Sequence, residues 1–175
     1  MEQVKRQPKW PGWLVQAAAF AVMAVALSPI APDLTAGFGD ARPHAPNFAL
    51  WGRLGPQVQI HIIAALAALV IGCVILALPK GRGPHRVLGW AWVAAMGITA
   101  VSSLFITGLS GNSYSLIHLL TGWTIIALPM GIVAIRNRRL EWHKRAMTGM
   151  FVGGLLVAGL LTFLPGRFMF QLFFG

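Results

Sequence analysis

Acid is what this chain has least of. Its 175 residues hold four carboxylates, Glu2, Asp33, Asp40 and Glu141, against 14 lysines and arginines, for a formal net charge of +10. Charged residues make up 10% of the whole, far below the roughly 25% of a soluble domain. Hydrophobic residues reach 57%, and the mean hydropathy is +0.70. A soluble globular enzyme and a disordered regulator are both excluded by this balance. A nucleic-acid binder is excluded as well, because the cations stand in short runs between long apolar stretches. The single cysteine, Cys73, lies inside an apolar run. It supports neither a disulfide framework nor a cysteine-based metal or iron–sulfur site within one chain.

Long apolar runs are what the chain has instead. A helix crossing the hydrocarbon of a bilayer needs about 20 mainly apolar residues. Five segments meet or approach that length, at 13–30, 58–78, 87–109, 114–135 and 146–164. The first follows Lys5, Arg6 and Lys9, as a signal peptide would. Its apolar stretch is too long for a signal h-region, and Ser28-Pro29 with Ala31-Pro32 makes a poor cleavage site. It is therefore expected to be retained. The expected fold is all-α, a single polytopic membrane domain over 1–175 with five transmembrane helices. A cytoplasmic tail (1–12) leads into span 13–30. An external Pro- and Gly-rich loop (31–56) follows, then a four-helix bundle (57–165) and an external aromatic tail (166–175) with Phe168, Phe170, Phe173 and Phe174.

Charge sets the orientation. Lys5, Arg6 and Lys9 precede the first span; Lys80, Arg82 and Arg86 lie between the second and third; Arg136, Arg138, Arg139, Lys144 and Arg145 lie between the fourth and fifth. The opposite side has only Arg42, Arg53 and Arg167, offset by Asp33 and Asp40. Positive residues favour the cytoplasm, so the N-terminus is expected in the cytoplasm and the C-terminus outside.

The last four spans read as a duplication. QIHIIAALAALVIGCVILALPKGRGPHRVLGW and LIHLLTGWTIIALPMGIVAIRNRRLEWHKRAM each place Ile-His and two aliphatics at the external end. Each then crosses to a basic turn and meets a second histidine beside a cation. Both hairpins start on the same side, which makes a parallel repeat about an axis along the membrane normal. That axis sets His61 opposite His118 near the external face, and His85 opposite His143 at the cytoplasmic face.

No Asp, Glu or Lys lies within these four spans, and ionisable groups inside spans usually face the bundle interior. Two neutral imidazoles facing each other supply the axial ligands of a haem iron. Small residues follow three of the four histidines at four-residue spacing (Ala65, Gly89 and Gly122), with Ala68 and Gly72 continuing the row below His61. Such rows also serve plain helix packing. His85 in GRGPHR and His143 in EWHKR have an alternative as binders of lipid phosphate, and His143 a further one as a cap on Glu141. His44, in the external loop, has no expected role. Trp90, Trp92, Trp123 and Trp142 read as aromatics of the interfacial belt.

IHIIAALAALVIG, PHRVLGW, SLIHLLTGW and EWHKRAM, each opening a span, resemble the motifs of the bacterial membrane family called domain of unknown function 2306, over about residues 57–165. One histidine per span over four successive spans is also similar to the di-haem transmembrane b cytochromes of the five-six-one type. That second resemblance implies haem b, one or two per chain, with His61 and His118 holding one iron and His85 and His143 the other. It further implies electron exchange with quinone or a partner redox protein. The other expectation is a non-catalytic accessory subunit of a larger respiratory or photosynthetic membrane complex. With no carboxylate or thiol in the spans, a metal hydrolase has little support.

Overall fold

The computed structural model of this chain describes residues 37–39, 41–106 and 116–175. The expected first span, 13–30, lies outside the described residues, as do the ends of the neighbouring connections. Every regular element among the described residues is helical. Four long helices form the body: α1 (Pro56–Ala77), α2 (Gly83–Leu104), α3 (Leu116–Arg136) and α4 (Leu140–Leu161). A short α5 (Phe168–Phe174) follows. Helices α1, α2 and α4 are long and apolar enough to cross a membrane, and residues Leu120–Arg136 of α3 form a shorter apolar helix.

The boundaries follow local chemistry. Pro56 opens α1 and Pro84 opens α2, positions where the missing N–H costs nothing and the fixed φ suits a helix. Helix α2 therefore begins at Gly83 rather than at 87, and α4 at Leu140 rather than at 146. His85 and His143 thus stand within the first turn of their helices. Gly81 has φ +79, which glycine adopts without penalty, and it turns the chain from α1 into α2. Helix α3 ends in a Schellman motif. Arg139 N–H donates to Ala134 C=O at 2.8 Å and Arg138 N–H to Ile135 C=O at 3.1 Å. The left-handed position falls on Arg138, with φ 57.

The helices close into a ring. Helix α1 packs on α2, α2 on α3 and α3 on α4, and the middle of α4 returns to α1. Inside the ring Ala68 is fully buried, and Trp92, Met96, Met150, Phe151 and Leu155 pack around it. Ala64, Ala68 and Gly72 are the buried residues of α1. Their four-residue spacing makes one smooth stripe, along which backbones approach closely in lipid. A Cβ on Gly72 would come within 2.5 Å of the Phe151 ring, so this glycine is where α4 presses on α1. Over Met150–Val157, α4 winds as a π-helix, beside the Gly153-Gly154 pair. The outer faces, with Val70, Val87 and Leu160 exposed, are apolar and contact lipid.

Trp92 departs from expectation. It is 4% exposed and belongs to the core, whereas Trp90 is 57% exposed. Positions two apart on a helix point about 200° apart, so Trp90 faces outward while Trp92 faces the core.

The far end is more ordered than a surface loop. Residue Asn47 caps the turn Phe48–Trp51 through its side chain. Arg42, His44 and Asn47 donate backbone N–H bonds to the C=O groups of Phe174, Phe173 and Leu172. The His44 ring bonds the carbonyl oxygens of Ala45 at 2.7 Å and Gly175 at 2.8 Å. His44 is thus a tie between loop and tail. Phe170 and Leu172 of α5 are buried, and Phe38 meets Phe170 edge-on.

Candidate functional site

Both basic turns lie at one end of the ring, and a cavity of about 670 Å³ opens between them. Its walls come from all four long helices and are almost wholly apolar. Lys80, Arg86, Arg136 and Lys144 stand around its basic-turn end, and among the described residues no carboxylate lines it. Gly72, Trp92 and Phe151 line it towards the middle of the bundle. His85 from α2 and His143 from α4 both line it. Helices α2 and α4 are diagonal neighbours in the ring, so the two histidines approach the space from opposite sides.

The orientation of His143 comes from α3. Its Nδ1 is 2.9 Å from Gly131 C=O. A carbonyl can only accept, so Nδ1 carries the proton and Nε2 of the neutral ring keeps its lone pair. Gly131 makes this reach possible. A Cβ there would strike the Met147 methyl group and sit 3.3 Å from Ala146 Cβ. Without one, α4 lies close enough for a side chain of its first turn to touch the backbone of α3. His143 does not cap Glu141, which pairs instead with Lys144 at 2.9 Å.

His85 has no such anchor. Neither ring nitrogen has a hydrogen-bond partner among the described residues, and Nδ1 is sealed from solvent. A buried polar atom left without a partner costs about 1–3 kcal/mol. Gly89, one turn on from His85, leaves open space where a Cβ would stand. Trp92 Nε1 is a second buried nitrogen without a hydrogen-bond partner among the described residues.

His61 of α1 is held in the same manner as His143. His61 Nδ1 lies 2.9 Å from Thr99 C=O and 3.2 Å from Ser102 Oγ, both on α2. Its Nε2 is then the free atom. Beside it Ser103 Oγ and Thr121 Oγ1 meet at 2.7 Å across α2 and α3. Ser103 Oγ also bonds Ala100 C=O of its own helix, as Ser102 Oγ bonds Ile98 C=O. His118 lies on α3, but its side chain falls outside the described residues, and so does the expected meeting of His61 with His118.

Of the four histidines singled out by sequence, the structure therefore brings His85 and His143 to one cavity and orients His61 and His143 through backbone carbonyls. Sequence reasoning missed Gly131 and Thr99, which do that orienting through main-chain oxygens. It also missed Phe151, whose place follows from the π-helical turn. A Gly falling one helix away from a histidine was the only visible signal.

These features define an all-helical polytopic membrane protein with a histidine-lined apolar cavity at one end. Residues 58–173 match the family described as "Predicted membrane protein (DUF2306)", and the chain belongs to that family. The match extends beyond the expected 57–165 to take in most of α5. Comparison with curated proteins finds no match, and comparison with solved structures finds none.

Proposed function

We propose that this chain is a b-type haem electron carrier of the bacterial inner membrane, exchanging electrons with quinone or a partner redox protein. The observation that carries the reading is the apolar cavity lined from opposite sides by His85 and His143. The residues present suit haem. Two imidazoles are its usual axial donors in electron carriers that keep both faces closed. A ligating histidine commonly holds its ring by donating the other N–H to a carbonyl, as His143 does to Gly131. His85 lines the same cavity, and its ring is held by no hydrogen bond to the described residues. The volume lies within the 300–1,000 Å³ of typical small-molecule sites. Bound haem supplies one-electron chemistry. The chain's part is to present both imidazoles to the cavity, His143 held by Gly131 C=O, while Trp92, Phe151 and Met147 exclude water from the inner wall.

The cavity's reach bears on electron transfer. It extends along α1 to Gly72, about 16 Å of helix from His61 at 1.5 Å per residue. An external site at His61 and His118 would then stand closer to the cytoplasmic one than the length of α1 suggests. The Nδ1 bond of His61 to Thr99 C=O supports that second site, and the diagonal relation of α1 to α3 matches that of α2 to α4. The same ring order supports a repeated pair of hairpins and, with span 13–30, five crossings. Both basic turns at one end support a cytoplasmic N-terminus and a periplasmic C-terminus.

The test is the visible spectrum of detergent-purified protein, oxidised and dithionite-reduced, with haem counted as its pyridine complex. One or two haems per chain are expected, and His85→Ala or His143→Ala should each remove one. A protein without any haem absorbance would sink the reading and leave that of an accessory subunit.

A further inference from the structure

Four cations surround the cytoplasmic-turn end of the cavity, but they are not equivalent. Lys80 is committed to the end of α1, where its Nζ donates to the C=O groups of Ile75, Leu76 and Leu78. Lys144 is committed to Glu141. Arg86, next to His85 on α2, and Arg136, the last residue of α3, have no hydrogen-bond or ion-pair partner among the described residues. Both line the cavity. They come from adjacent helices and stand at the end where the apolar walls stop. No carboxylate of the cavity wall competes for them.

From this arrangement we infer that Arg86 and Arg136 form a two-pronged carboxylate clamp, so that the cavity takes a flat apolar ligand with its acidic edge turned to the cytoplasmic surface. The inference rests on the haem reading above and assigns these two residues to the ligand's carboxylates. A guanidinium presents paired N–H donors in a plane that matches a carboxylate. The pair is worth more at the rim of an apolar cavity than in open water, because the surrounding dielectric is lower. Orientation follows as well. With the acidic edge held at Arg86 and Arg136, the apolar edge of the ligand points towards Gly72, Trp92 and Phe151. The ring plane then passes between His85 and His143.

The experiment compares haem b with its dimethyl ester, which has the same ring and iron but no carboxylate. The full chain is made in a haem-deficient host, purified in detergent and titrated with each compound by absorbance. The unaltered chain should bind haem b about tenfold or more tightly than the ester, as expected for charge-assisted hydrogen bonds to carboxylate. The double variant Arg86→Gln/Arg136→Gln should lose that preference while keeping its affinity for the ester, which also shows that it is folded. Arg86→Lys/Arg136→Lys should restore part of the preference. Equal binding of the two compounds by the unaltered chain overturns the clamp alone. So does an undiminished preference in the Gln variant, which would leave the arginines to lipid phosphate. Binding of neither compound overturns the haem reading and the clamp with it.

Discussion

At the scale of single residues, the decisive positions are the small ones beneath the histidines. Gly131 shows how. Its missing Cβ brings α4 against α3, and only then does His143 reach the Gly131 carbonyl at 2.9 Å. Gly131→Ala places a methyl group against Met147 and within 3.3 Å of Ala146 Cβ. Overpacking of this kind costs about 1–3 kcal/mol, and here it also pulls His143 off its anchor. The variant should unfold at lower temperature in detergent and, on the proposed haem reading, hold less haem between His85 and His143. Trimming the neighbour, in Gly131→Ala/Met147→Ala, should recover part of the loss. Unchanged melting and haem content in the single variant would mean that the helices are not in close contact there.

At the scale of elements, the helix ends are shaped by rules that the sequence obeys at one turn and breaks at another. The α1–α2 turn has Gly81 at its left-handed position, as steric rules prefer. The α3–α4 turn instead places Arg138 in the left-handed conformation, at φ 57, just past the end of α3. For a residue with a Cβ this costs roughly 1–2 kcal/mol. Arg138→Gly should therefore stabilise the protein by about 0.5–1 kcal/mol, after allowing for glycine's extra freedom when unfolded. The thermal midpoint should rise. A fall would mean that the guanidinium of Arg138 contributes more at the membrane surface than the backbone loses.

At the scale of the whole molecule, the two ends of the bundle do different things. The end with the basic turns carries the cavity. The other end is closed by the loop before α1 and by α5, joined through three backbone hydrogen bonds and the His44 ring. Truncation of residues 168–175 should leave the four long helices in place, since none of the core residues around Ala68 belongs to α5. It should expose residues 41–47 to protease added on the C-terminal side of the membrane. Rapid cleavage of the truncated protein with slow cleavage of the full chain is the expected result. Equal rates would show that α5 does not hold the loop. Cleavage only from the side of the basic turns would overturn the orientation.

The sequence by itself determined the class. Apolar runs of helical length separated by basic turns leave no alternative to membrane-spanning helices, because backbone polar groups in lipid must bond within their own segment. It also determined which residue types were rare enough to notice. Four histidines in spans otherwise almost free of ionisable groups are visible without any fold, and the motifs around them were enough to suggest the family. What the string of residues leaves open is which of those histidines share a space. His85 and His143 are 58 positions apart, and their joint access to one cavity depends on the ring order of four helices. The burial of Trp92 beside an exposed Trp90 depends on helix phase against a neighbour. Gly131 and Thr99 act through carbonyl oxygens, which every residue possesses, so no side-chain motif marks them. His44 became a structural tie only when α5 folded back to meet it. Composition and periodicity are properties of one segment in its solvent. A shared cavity, an orienting carbonyl and a closed end are properties of segments brought together, and only the tertiary structure decides those.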